Sequence, residues 1–363
     1  MDLNEVDRKL SEISKEINFY SFLTPLNGEE EKDKFFSSLR KEEAYNPVFS
    51  YKERGLGDKK SELNSMRSLL DEKKELHRLF IRKIDFVIRS LELLEADDTG
   101  FGDIARNLHG VPNAECLKFA KNILVETKKE AYAFPEEEVT PDEMASILRK
   151  VLEDKGIDWK CVISGKIVPK ITVSGENKTV YVNSRINYTR EEVERLKVHE
   201  VEVHIYRGAN GARQPYRVFA EGLADYDETE EGLAIVAEEI TGSLKLDRRQ
   251  MKLYAGRAFC VDLCMGGTFY ETFMALREFF PDYLAYRLTE RGKRGLKDTS
   301  NKGGLTKGFH YISGFLKMRE YIREGGDLKV LYVGKIGIED VGSVRHLLSE
   351  GILSPPEYLP DFI

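Results

Sequence analysis

Residues 196–207 read LKVHEVEVHIYR, and residues 227–240 read DETEEGLAIVAEEI. The first stretch places His199, Glu200 and His204 within about a turn and a half of helix. The second offers Glu230 or Glu231 as a further carboxylate at the head of another helix. Two imidazoles, a neighbouring glutamate and a distant one are the side chains of a catalytic zinc site. Imidazole nitrogens bind the ion without adding charge, and one carboxylate leaves it net positive, able to acidify a water molecule. Glu200, next to a ligand, is then the candidate general base that takes the proton and returns it to a leaving amine.

The spacing is unusual. In the common H-E-x-x-H arrangement the second histidine is four residues on and shares a helix face, whereas His199 and His204 are five apart. At about 100° per residue the two side chains of an ideal helix diverge by about 140°. Convergence therefore requires either a π-bulge, which absorbs one residue, or a helix that loosens near His204. The competing reading is a solvated acidic helix (Glu191, Glu192, Glu194, Glu200, Glu202) with two incidental histidines. With six histidines in the whole chain, two in one six-residue window favour the metal site.

Outward from this core, Thr189 and Glu192 have the spacing of a capping box that opens the histidine helix. Before it, residues 158–185 (DWKCVISGKIVPKITVSGENKTVYVNSR) alternate β-branched and polar residues around two Gly-containing turns, which predicts three short antiparallel strands. Thr140-Pro141-Asp142-Glu143 announces one helix, and another is expected from about Pro112 to Glu130. Residues 59–97 carry apolar side chains at steps of three and four and predict one long amphipathic helix. From Glu230 onward the pattern is again mainly helical. The expected fold is α+β, predominantly helical, with a small antiparallel sheet beside the metal-site helix. A helical region over 1–97, free to pack as part of one domain, precedes a catalytic domain over 98–363.

The chain has 363 residues, 41% hydrophobic and 33% charged, with a net charge of −7. That balance suits a globular protein and gives no basic footprint for nucleic acid. No apolar run reaches the roughly 18 residues of a membrane span or the shape of a signal peptide. Four cysteines imply no disulfide framework, so a cytosolic setting is expected; Cys260 and Cys264 read as core residues sharing a helix face.

The stretch VNSRINYTREEVERLKVHEVEVHIYRGANGARQPYRVFAEGLADYDETEEGLA (182–234) resembles the core of the family that includes the microtubule-associated tyrosine carboxypeptidases, many bacterial members of which are known by a QEGLA motif. The matching features keep their order and spacing. They are the run into the helix, H-E-x-x-x-H, the Asn210-Gly211 and Gln214-Pro215 loop, Gly222-Leu223 with Tyr226, and T-E-E-G-L-A. A weaker echo lies in GGLTKGFHYISGF (303–315). The resemblance implies a zinc metallocarboxypeptidase acting on the C-terminus of a peptide or protein. Its ligands would be His199 and His204, with Glu200 as base, and Glu231 rather than Glu230 as third ligand, capped by Thr229. Lys307 and Tyr311 are then candidates for pairing with the substrate carboxylate and donating to the oxyanion. Arg217 and Arg257 are alternative carboxylate clamps, because a guanidinium grips a carboxylate through two parallel hydrogen bonds. Where the family pattern reads K-D, this chain has Lys307-Gly308, so an acidic neighbour is missing there. That departure favours, mildly, the alternative of a non-catalytic binding or regulatory protein on the same fold. The intact His199, Glu200, His204 and Glu231 set argues for catalysis.

Overall fold

A computed structural model describes residues 2–17, 19–53, 56–128, 138–167, 169–246 and 248–363. The histidine helix is a rod in three parts: Arg190–Leu196 is α-helical, Lys197–Ile205 is a π-helix, and Tyr206–Gly211 is α-helical again. Thr189 and Glu192 cap it reciprocally, each side chain bonded to the other's N–H at 3.1 Å. Of the two ways to reconcile a five-residue histidine spacing, the chain uses the π-helix, whose i→i+5 bonding restores the shared face. Val201, Val203 and Ile205 are fully buried in this segment, which locks the wider turn into the core.

The sheet that borders the rod has strands β1 (Lys160–Ser164), β2 (Ile171–Ser174) and β3 (Thr179–Asn183) in the order β1-β3-β2. It is mixed rather than all antiparallel: β2 and β3 form the expected hairpin, but β3 pairs parallel to β1. The reason is burial. Val180 and Val182 are fully buried, so β3 takes the central position and β2 the edge. β2 packs on the π-helical segment.

The stretch predicted as one helix over 59–97 is a helical hairpin, Lys59–Ser68 and Glu75–Glu95. Arg67 pairs with Asp85 at 2.7 Å and Lys60 with Glu95 at 2.5 Å, which sets the two helices antiparallel. The apolar period runs on through Leu69 and Leu70. The turn is instead fixed by polar groups, with the Asp71 N–H donating to His77 and the Lys73 N–H to Asp71. Thr140 and Glu143 form the expected capping box of Pro141–Asp154. The helix expected to end at Glu130 runs over Ala114–Glu126, started by an Asn113 cap. Residue 130 lies outside the described residues. No described helix is long and apolar enough to cross a membrane.

Two helices decide where the site forms. Tyr226–Ile240 packs against the π-helical segment on one side and against His310–Arg323 on another. The second crossing is backbone on backbone. A Cβ on Gly232 would lie 2.2 Å from the Gly314 carbonyl, and one on Gly314 would lie 2.0 Å from the Glu228 carbonyl oxygen. The glycine of the EEGLA run is thus a packing requirement. Buried apolar side chains from Val6 to Leu353 form one continuous core, including Phe80 and Leu91 of the hairpin with Val201 and Leu233 of the site helices.

Candidate metal centre and adjoining cleft

The π-turn brings the two imidazoles to the same side, with ring centroids 4.8 Å apart. Glu231 comes from Tyr226–Ile240, and donor atoms of His199, His204 and Glu231 all lie within 4.8 Å of one another. Glu231 is not a first-turn acid: its helix begins at Tyr226 after Asp225, which holds a left-handed φ of 57°. Nor is Thr229 the cap; it lies inside the helix, where its hydroxyl accepts the Ile338 N–H at 3.0 Å.

Each imidazole is aimed by a carboxylate behind it. His199 Nδ1 is 2.6 Å from Glu238 Oε1, which also accepts from Arg195 Nη1 at 3.2 Å. His204 Nδ1 is 2.9 Å from Glu230 Oε1. Glu230 is in turn held by Arg207 Nη1 at 2.6 Å and Lys335 Nζ at 3.0 Å. Fully buried Arg207 also donates from Nε and Nη2 to the Leu331 and Ile336 carbonyls, so each of its three nitrogens has a partner. A neutral imidazole that donates from Nδ1 presents its Nε2 lone pair forward, the arrangement that orients histidine toward a metal. The adjacent acids of the TEEGLA run are thereby distinguished. Glu230 stands behind His204, and Glu231 faces the gap between the histidines.

Whether a cation fits can be judged from that gap. Glu231 Oε2 is buried and has no hydrogen-bond partner, an arrangement that is costly unless something positive meets it. It lies 3.6 Å from His199 Nε2, close to the roughly 3.4 Å between donors in a tetrahedral site with zinc bonds of 2.0–2.1 Å. Burial pushes the His199 imidazole down, but Glu231, Glu238 and Glu200 outweigh it and hold its pKa at about 10. A pocket with that much negative charge favours a cation. Burial likewise pushes the Glu231 carboxyl up, while His199, His204 and Arg257 bring it below its usual range, so it stays ionised. Two imidazoles and one carboxylate suit zinc among the common ions.

Beside the cluster gather partly exposed cations and phenols, the candidate lining of a substrate cleft. Tyr311, on His310–Arg323, stacks on Tyr254 at 4.7 Å, and the Arg257 guanidinium covers its ring at 4.4 Å. Burial raises the Tyr311 phenol, which keeps it a proton donor at neutral pH. Arg291 acts electrostatically on Tyr311 and on Glu231. Lys307 does have an acidic partner: Asp227 Oδ2 is 2.9 Å from its Nζ, supplied by the Glu231 helix instead of the next residue in sequence. Burial disfavours that ammonium, but Asp227 outweighs it and holds the Lys307 pKa well above normal. Arg217 is exposed and sits apart, with its N–H bonded to Asp7 on the helix Leu3–Ile17. Glu200 is partly exposed and acts on His199 from the adjoining position in the π-helix.

Sequence reading missed Glu238, Arg195, Arg207, Asp227 and Arg291. Two of these were visible in principle. Glu238 is seven residues beyond Glu231 and Asp227 four before it, so all three share one face of a helix. Arg195, Arg207 and Arg291 carry no such local signal.

Fold and site together define the class: a predominantly helical α+β protein with a two-histidine, one-glutamate candidate metal centre. Residues 33–363 match the family described as microtubule-associated tyrosine carboxypeptidase, and the chain belongs to that family. Microtubule-associated tyrosine carboxypeptidase 1 of Rattus norvegicus is 25% identical over 333 residues, covering 89% of this chain and 61% of the relative. The Homo sapiens protein of the same name is 26% identical over 352 residues, covering 93% of this chain and 64% of the relative. The chain thus spans under two thirds of the length of these curated relatives.

Proposed function

We propose that the chain is a zinc-dependent carboxypeptidase that removes a C-terminal, aromatic residue from a peptide or protein. The observation that carries this reading is the convergence of His199, His204 and Glu231 around a buried carboxylate oxygen with no other partner. The relatives' names supply the reaction class.

His199, His204 and Glu231 would hold the ion, with Glu238 and Glu230 fixing the two imidazoles. Zinc bound there supplies Lewis acidity, polarising the scissile carbonyl and acidifying water. Glu200 accepts the proton of the attacking water and delivers it to the leaving amine. Tyr311 donates its phenolic proton in a hydrogen bond to the developing oxyanion. Arg257 and Arg291 grip the free carboxylate of the substrate, which is what confines cleavage to the last residue. Lys307 takes its acidic partner from Asp227, which supports the catalytic reading over a non-catalytic binding or regulatory one. A cytosolic setting goes with this proposal, since Cys260 and Cys264 are free and buried with sulfurs 3.8 Å apart. Residues 1–97 and 98–363 are taken to work as one unit around the shared core.

Glu200→Gln keeps the ligand set and removes the base. Turnover of a peptide ending in tyrosine should fall by about 10²–10⁴-fold with zinc content by elemental analysis unchanged. Full turnover in that variant, read as the released amino acid and the shortened peptide by mass spectrometry, would overturn the mechanism.

A further inference from the structure

We propose that Tyr20 is a specificity-determining residue, its ring forming a wall of the cationic cleft against which the C-terminal side chain of the substrate packs. Tyr20 lies ahead of the segment that matches the family, which begins at residue 33. It reaches the cleft because two flanking elements anchor it. The helix Leu3–Ile17 buries Val6, Leu10, Ile13 and Ile17. Its Asp7 carboxylate accepts the N–H groups of Arg217 and Val218 at 2.9 and 3.1 Å, and Ser11 donates to Glu221 at 2.5 Å. The helix is thereby pinned to the short helix Val218–Glu221 just before the Glu231 helix. The short helix Phe19–Phe22 then packs on Glu75–Glu95, with Phe19 edge-on to His109 at 6.4 Å and Leu23 fully buried.

Between those anchors Tyr20 remains 44% exposed. Its ring is not loose. The Lys307 ammonium sits 5.3 Å from its centroid, and Phe19 meets it edge-on at 5.7 Å. Lys307 is in turn fixed by Asp227 on the Glu231 helix. Asp227, Lys307 and Tyr20 therefore form a stack whose far end is an oriented, half-open aromatic surface. Tyr20 also acts electrostatically on Arg291 and Tyr311. Because Asp227 neutralises Lys307, the proposal assigns the substrate carboxylate to Arg257 and Arg291. On this proposal a terminal residue held there by its carboxylate turns its side chain toward Tyr20. An aromatic side chain gains from that surface what a methyl group cannot, both apolar area and ring–ring contact.

This inference rests on the proposed function only in that a peptide C-terminus enters the cleft. Its test uses full-length chain and peptides identical except for a last residue of Tyr, Phe, Leu or Ala. In Tyr20→Ala the preference in kcat/KM for Tyr over Ala should fall by about tenfold, mainly through KM. Tyr20→Phe, which keeps the ring, should retain it. The same peptides are then titrated calorimetrically into Glu200→Gln and into Glu200→Gln with Tyr20→Ala. Turnover with unchanged preference in Tyr20→Ala overturns the role of Tyr20 and leaves the carboxypeptidase reading standing. A binding preference that vanishes with Tyr20, without turnover in the wild type, supports Tyr20 and sinks that reading. Neither turnover nor binding overturns both.

Discussion

The metal cluster and the cleft beside it are built on opposite plans. In the cluster each imidazole is backed by a carboxylate and each carboxylate by a cation, as in His199–Glu238–Arg195 and His204–Glu230–Arg207. These relays are buried, and two carboxylate oxygens among these groups have no partner, Glu238 Oε2 and, facing the gap between the imidazoles, Glu231 Oε2. In the cleft the charges are partly exposed and rest on aromatic faces: Arg257 on Tyr311, Lys307 on Tyr20. A metal ion needs donors fixed to within a few tenths of an ångström, whereas a variable peptide end needs surfaces that grip without a unique geometry. The contrast is what a site would show if the reaction is fixed and the substrate is read loosely.

The sharpest way to break that contrast is to loosen one relay. Glu238→Gln leaves the shape of the side chain and removes the charge that aims His199. It should weaken zinc binding by about 10–100-fold, measured by competition with a chelator. Substrate selectivity in the remaining metal-loaded enzyme should not move. If zinc affinity is unchanged, the buried carboxylate is only structural and the rigid-relay account of the cluster is wrong.

A second test acts on the joint between the two regions. Gly232 touches Gly314 backbone to backbone, so one crossing sets the distance from Glu231 to Tyr311. Gly232→Ala forces a Cβ into backbone that cannot rotate away. A loss of about 1–3 kcal/mol in urea unfolding is expected, together with lower zinc content. Wild-type stability would mean that the helices slide freely and the cluster does not depend on their contact.

The same contrast decides what the sequence could disclose. The cluster was legible because its parts are local: a five-residue histidine spacing that demanded a π-turn or a loosened helix, and two adjacent acids in one run. Even there, the choice between Glu230 and Glu231 came from family resemblance, and the structure supplies the physical reason in the partners each one takes. The cleft was less legible because it is assembled from Phe19–Phe22, Arg248–Gly266, Asp282–Lys293, Thr306–Phe309 and His310–Arg323. Lys307 was read by its neighbour Gly308, yet its acid comes from Asp227, 80 residues earlier. Periodicity misled at Leu69 and Leu70, where the apolar rhythm continues through a turn. The sheet's parallel pair was hidden too, since alternation gives a strand's faces and not its neighbours.

The smallest expected effect separates the two regions by pH. His109 lies behind the cleft, edge-on to Phe19, Phe86 and His310. Burial first, then the charge on Lys307, pushes its pKa from the ordinary 6.5 down to about 3. The unfolded chain binds a proton at this imidazole below about pH 6.5, and the folded chain does not until about pH 3. Stability from His109 is therefore complete above pH 6.5 and erodes as the pH falls, by at most about 1.4 kcal/mol per pH unit. The cluster's carboxylates respond differently. Glu230 and Glu231 lie below their usual range, so what they contribute is present above about pH 4.5 and is lost only below it. Between pH 6.5 and 4.5 the acid sensitivity of the fold should thus come from the imidazoles held below their ordinary range, buried His109 and His310 and, in the helical hairpin, His77, and not from the cluster's carboxylates. His109→Phe keeps the ring contacts and cannot titrate, so its urea midpoint should fall less steeply than wild type over that interval. Parallel slopes would show that His109 is protonated in the folded state, and that the space behind Lys307 is wetter than its packing implies.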